Sequence, residues 1–316
     1  MSKQTIFITG GSGYIGSVVI ETALAQGYAV NALSRSESSD AKLRTLGANP
    51  VRGDIKSLEV LTREASQADI VINIADAIAG NYGISHEERF AINFAAYDAL
   101  AEGLKGTGKP LVVTSGALNA APHPDGEETD ESSPGWPEGH IYAKGFESNK
   151  GKYVDQGVRV CYIRLAPYVY GRGGSGVKLF MGMWAPRGSG AFIIPGTTPT
   201  TTVHVEDAAR LYLLIAEKGK TGESYNATSE TNVTQAQICE GICKTLGIPC
   251  NKVELEDAKA KMGDFLAVFL TAQCRASNKK AKEQLGWTIQ AEKGILDEIE
   301  SGSYVEVAKQ LKKGST

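Results

Sequence analysis

The chain has 316 residues, 42% of them hydrophobic and 22% charged, which is enough to bury a large core in one domain or two. A formal net charge of -3 gives no broad positive field and argues against nucleic acid as a partner. Five cysteines with no C-x-x-C spacing and no nearby histidine argue against a zinc site, so no metal is expected.

Residues 1–7 carry one lysine and lead straight into a strand-like segment, with no apolar signal region and no stretch long enough to span a bilayer. That start is expected of a cytoplasmic protein without a membrane partner. Short β-branched runs then alternate with amphipathic stretches. Strands are expected at 5–9, 29–33, 50–51, 70–74, 111–114 and 158–165, and helices at 15–26, 40–46, 57–67, 89–105 and 142–156. Six strands with helices between them describe an α/β doubly wound parallel sheet, the Rossmann arrangement. Residues 120–138, with four prolines and many acids, read as a surface loop flanking a site. Beyond residue 171 the pattern loosens, with helices expected at 205–217, 235–246 and 256–270 and a final one after Asn278. A dinucleotide-binding domain over 1–170 and a smaller, mainly substrate-binding lobe over 171–316 follow, with some segments of the second returning to the first.

The first strand runs directly into TGGSGYIGS and then a helix. Gly10, Gly13 and Gly16 keep the spacing G-x-x-G-x-x-G: a tight turn, close approach to a pyrophosphate, and close packing of helix on strand. The helix start offers free N–H groups to phosphates. The second strand ends in Ser34-Arg35-Ser36 with no acid before Glu37, which favours the 2′-phosphate of NADP over NAD. Asp54 follows the third strand, within reach of an adenine amino group, though an aspartate there also suits a helix cap. His140 and Lys144, four residues apart, share a face if a helix opens near 142, whereas Tyr142 and Lys144 point about 200° apart.

TGGSGYIG, GDI at 53–55, TSG at 114–116, RLAPYVYG at 164–171, VHVED at 203–207 and NKKAKEQLGW at 278–287 occur in this order and span nearly the whole chain. Together they resemble an extended short-chain dehydrogenase/reductase of the NAD(P)-dependent epimerase/dehydratase kind. The resemblance implies that Ser115 bonds the substrate oxygen and that a lysine, matched by Lys144, holds the cofactor ribose. A tyrosine four residues before that lysine would move the proton, but His140 stands there. Three outcomes stay open: Tyr142 swings in, His140 is the acid or base, or reductase chemistry is lost.

The cofactor-binding set is therefore Gly10, Ser12, Gly13, Tyr14, Ile15, Gly16, Arg35, Ser36, Asp54, Ile55, Ala75, Lys144 and Pro167. Candidate substrate contacts are His86, Tyr168, Arg172 and His204. The expected activity is an NADP-dependent oxidoreductase of the carbonyl reductase or alcohol dehydrogenase type acting on a small or medium organic molecule. Alternatives are an isomerase, epimerase or lyase on the same fold, and a non-enzymatic NADP-binding sensor. Helices 89–105 and 142–156 are the surfaces through which a homodimer would form.

Overall fold

A computed structural model describes residues 3–81, 83–143 and 145–313. In chain order the described residues form β1 (Thr5–Thr9), α1 (Tyr14–Ala25), β2 (Ala29–Ser34), α2 (Glu37–Leu46), β3 (Asn49–Arg52), α3 (Leu58–Gln67), β4 (Ile70–Asn73), α4 (His86–Leu104) and β5 (Pro110–Gly116). A single 3-10 turn at Ala117–Asn119 precedes α5 (Lys150–Asp155), β6 (Arg159–Leu165), β7 (Tyr168–Tyr170), α6 (Ser175–Trp184), β8 (Gly190–Ile193) and β9 (Pro199–His204). Then come α7 (Val205–Lys218), β10 (Ser224–Ala227), β11 (Glu230–Thr234), α8 (Gln235–Leu246), β12 (Cys250–Val253), α9 (Leu255–Met262), α10 (Asp264–Thr271), α11 (Lys279–Leu285), α12 (Ile295–Ser301) and α13 (Tyr304–Lys313).

Seven strands make one sheet in the order β10-β6-β5-β4-β1-β2-β3, and every pair in it is parallel. Both faces are covered by helices, so its inner strands read as unbroken apolar runs: IVIN in β4 is buried at all four positions. The period of two splits the core. Ile6 and Ile8 point to one face with Val18, Val19 and Tyr212 from α1 and α7, while Phe7 points to the other with Leu61, Tyr97 and Leu100 from α3 and α4. The sheet has one strand more than the expected six. The seventh, β10, extends β6 through Ser224–Ala227, so a stretch beyond residue 171 belongs to the main sheet.

Two smaller sheets, β11-β9-β7 and β12-β8, gather around a second core built from Tyr170, Phe180, Trp184, Ile242, Ile299 and Tyr304. Two helix expectations need correction. The expected helix over 256–270 is broken at Gly263, whose φ of 83° ends α9 and starts α10. The expected helix over 142–156 forms only at Lys150–Asp155, and the described residues among 139–149 run as turns and bends instead. Gly139 sits at φ 86°, and a Cβ at Gly145 would lie 2.8 Å from Asn119 Oδ1.

Candidate active site

The strand order reverses at β1, between β4 and β2, and a doubly wound sheet opens a crevice beyond the strand ends at such a point. The glycine turn lies there. Gly10 has φ 73°, and a Cβ on it would meet the Ala75 nitrogen at 2.8 Å; a Cβ on Gly16 would meet the Gly10 oxygen at 2.2 Å. The turn is pressed against the end of β4 and against its own helix, and only glycine permits both. Gly13 caps α1 without any side-chain hydrogen bond, and the first turn of α1 carries no acid. Thr9 Oγ1 donates to Asn73 Oδ1 at 2.7 Å and accepts from the Ala75 N–H at 3.2 Å, tying the ends of β1 and β4 together.

Tyr14, inside the glycine loop, donates its hydroxyl to the Gly171 oxygen at 2.8 Å. Burial holds that phenol well above the usual tyrosine range. At the end of β2, Arg35 is exposed, and its guanidinium lies 3.8 Å from where a Cβ on Gly80 would stand. Ser36 caps α2, accepting from the Ser39 N–H at 3.2 Å. Asp54 is exposed and caps the next turn, accepting from the Lys56 N–H at 2.9 Å and from Ser57 Oγ at 3.0 Å.

A cavity of about 270 Å³ lies beyond β4, β5 and β6. Ala75, His86, Ser115, Tyr142 and Pro167 from the sequence-derived set line it, alongside Asp76, Arg89, Asn119, Phe146 and Phe269. Ser115 is buried at the end of β5, where its Oγ accepts from Asn119 Nδ2 at 2.8 Å. The same amide donates to Glu147 Oε1 at 3.1 Å. Glu147 takes two bonds from Arg164, at 2.7 and 2.8 Å, and one from Ser224 Oγ at 2.7 Å. Burial raises the Glu147 carboxyl, but the bonds from Arg164, Ser224 and Ser115 outweigh it and hold the group below the usual glutamate range.

Tyr142 reaches the cavity from the irregular stretch before α5, packed against the small cluster of Ala117, Leu118, Ala272, Cys274 and Ala276. Its hydroxyl is buried and has no hydrogen-bond partner among the described residues. Burial pushes that hydroxyl up to about 12, with the charge of Arg89 pulling the other way. His140 is elsewhere. Its ring stacks on Trp136 at 3.9 Å and 5°, its Nδ1 accepts from the Tyr142 N–H at 3.2 Å, and it is not among the cavity-lining residues. With no helix at 142, the four-residue spacing that would join His140 to Lys144 does not apply; Lys144 itself lies outside the described residues.

Three expected substrate contacts stand away from the cavity. Arg172 is held between Glu206, at 2.8 Å, and Glu21, at 2.5 Å. His204 caps α7, accepting from the Glu206 N–H at 3.3 Å, and burial lowers its imidazole below the usual range. Tyr168 is buried in the second core, where its hydroxyl donates to Gln235 Oε1 at 2.7 Å. Conversely, the sequence reading passed over Asp76 and Arg89. Arg89 Nε lies 2.9 Å from Asp76 Oδ1 and 3.2 Å from Oδ2, Arg89 Nη2 bonds Oδ2 as well, and Asn93 Nδ2 donates to Oδ1 at 2.9 Å. Burial raises the Asp76 carboxyl, yet Arg89, Asn93 and the Ile78 N–H together hold it below the usual range. An acid just past an apolar strand was the available signal. The helical arginine thirteen residues later carried none.

The chain resembles known proteins over nearly its whole length. It is 32% identical over 302 residues to an uncharacterized protein of Saccharomyces cerevisiae, covering 93% of this chain and 97% of that one. It is 26% identical over 264 residues to a decarboxylating sterol-4-alpha-carboxylate 3-dehydrogenase of Dictyostelium discoideum, covering 80% of this chain and 79% of that one. The fold matches the crystal structure of a dTDP-glucose 4,6-dehydratase from Streptomyces venezuelae with NAD bound, at a TM-score of 0.77, 20% identity and 98% coverage of both chains. The family model described as the NAD dependent epimerase/dehydratase family matches residues 6–228. With more than half its length matched, the chain belongs to the NAD dependent epimerase/dehydratase family.

Proposed function

We propose that this chain is an NADP-dependent oxidoreductase that reduces a carbonyl group of a small or medium organic molecule. One observation carries the reading: Tyr142 and Ser115 line the same cavity at the strand ends beside the glycine turn, and the Tyr142 hydroxyl is buried without a described partner. The turn suits a dinucleotide, since the start of α1 is uncapped and free of acids, a fit for a pyrophosphate. Exposed Arg35, flanked by serines, suits the additional phosphate of NADP. When bound, the nicotinamide supplies the hydride.

The chain's own groups then have distinct tasks. Ser115 turns its proton from Glu147 to the substrate oxygen, while Asn119 keeps hold of its Oγ. Tyr142 gives its proton to that oxygen as charge develops there. Lys144, by the family resemblance, holds the cofactor ribose and adds positive charge nearby. The lobe beyond residue 171 closes the site, reaching it through Phe269 of α10. The dehydrogenase named among the relatives supports an oxidoreductase reading.

The test is calorimetry with NADPH and NADH, followed by NADPH consumption against a panel of aldehydes and ketones. NADPH should bind more tightly than NADH. Tyr142→Phe should lose about a hundredfold in kcat with unchanged NADPH affinity, and His140→Ala should lose little. Absence of binding heat with either coenzyme defeats the proposal.

A further inference from the structure

The cavity's charge and shape define a class of substrate, an inference that rests on the oxidoreductase reading above. Arg89 is the only arginine or lysine among the described residues that line it. Its guanidinium is already committed: Nε and Nη2 both bond the Asp76 carboxylate, which Asn93 Nδ2 and the Ile78 N–H hold in place at 2.9 and 3.0 Å. The pair is only partly exposed, at 18% for Arg89 and 24% for Asp76. An anionic ligand would have to displace Asp76 and leave that carboxylate half-buried without its partner, which is costly in a site shielded from water. The pair therefore presents no net charge to a ligand.

Apart from His86, Thr114, Ser115, Asn119 and Tyr142, the remaining lining is mainly apolar and includes several aromatic rings. Phe146 lies under the Arg89 guanidinium at 5.1 Å and packs on Phe90 with ring centroids 4.9 Å apart. Phe269 enters from the lobe, and Ile141, Leu118 and Leu165 complete the wall. At about 270 Å³ the cavity has room for a compact organic molecule.

We propose that the substrate is an uncharged, flat, predominantly apolar carbonyl compound of the aryl ketone or aryl aldehyde type, and that the Asp76–Arg89 pair is the element that rejects anionic carbonyls. Asp76 is a specificity-determining residue: it neutralises a guanidinium that would otherwise select carboxylates and phosphates. The family's fold also accommodates sugar nucleotides, as the UDP-glucose 4-epimerase from Thermotoga maritima with UDP-glucose illustrates. Among the described residues that line the cavity, no arginine or lysine is left uncommitted for a diphosphate.

The decisive measurement is binding, which can be read whether or not any carbonyl is turned over. The full chain is titrated, with and without NADP, with acetophenone, with phenylglyoxylate, in which a carboxylate replaces the methyl group, and with UDP-glucose. Acetophenone should bind at least tenfold more tightly than phenylglyoxylate, and UDP-glucose should not compete with it. Asp76→Asn should free Arg89 and shift the ratio at least tenfold towards phenylglyoxylate. Should that variant fold poorly, Phe146→Ala gives a second reading, expected to weaken acetophenone severalfold while NADP affinity is kept. Equal or tighter binding of phenylglyoxylate or UDP-glucose by the unaltered chain overturns the inference. Acetophenone binding without NADPH oxidation leaves the inference standing and defeats the oxidoreductase reading instead.

Discussion

Tyr142 owes its chemical character to where its ring is packed. With the hydroxyl pushed up to about 12 by burial, the phenol keeps its proton at neutral pH and is suited to donate it. The expected consequence is a kcat for carbonyl reduction, at saturating NADPH, that stays flat between about pH 6 and 9, below the ordinary tyrosine value of about 10. A profile falling by tenfold inside that window would mean that a different group supplies the proton. At the other end of the proposed dinucleotide site, Arg35 forms no ion pair with a described residue, so its charge is available to a ligand. A charge-assisted bond to a phosphate contributes about 1.5–3 kcal/mol. Arg35→Ala should therefore weaken NADPH about tenfold or more and leave NADH nearly unchanged, as measured by parallel titrations.

The 139–149 segment shows how an element's shape decides which residues meet. As a helix it would have set His140 over Lys144; as turns it sends Tyr142 inward and anchors itself through Glu147. Glu147 and Arg164 are 10% and 11% exposed, so their pair is buried, and removing one charge from it costs about 3 kcal/mol. Glu147 titrates lower when folded than when unfolded. Its contribution is thus complete above the unfolded value of about 4.3 and fades as pH falls through the lower folded value. Glu147→Gln should melt well below the parent at pH 7, and the gap should narrow under acid. A gap of constant size down to about pH 3 would show that the carboxylate's charge is not what stabilises the segment. Residue spacing alone could not foresee this anchoring. Asn119, Glu147, Arg164 and Ser224 come together only through the pairing of β6 with β5 and β10, and no local pattern records such contacts. The glycine turn was legible because its shape follows from local geometry at a strand end, whereas Ser115 was singled out through the family resemblance.

At the scale of the whole molecule, the parallel sheet was readable because a strand covered on both sides must be apolar throughout, and the helices between strands because their periodicity is local. The second core was harder to read. Its strands are three to six residues long, and α12 and α13 are separated only by Gly302 and Ser303. Yet the two cores are joined at the proposed cofactor loop. Tyr304, at the start of α13, is fully buried; its hydroxyl accepts from the Gly171 N–H at 2.9 Å and donates to the Gly174 oxygen at 2.9 Å. Gly171 in turn accepts from Tyr14 of the glycine loop, and the Tyr14 ring fills the space a Cβ on Gly174 would need. Removing one hydroxyl therefore strands two buried backbone groups, at about 1–3 kcal/mol each, and loosens the loop that supports Tyr14. Tyr304→Phe should lower the melting temperature and weaken NADPH severalfold, although residue 304 stands outside the proposed cofactor contacts. Paired melting curves with and without NADPH separate the two effects: a lower melting temperature with an unchanged NADPH-induced shift would mean that α13 stabilises the second core without shaping the cofactor loop.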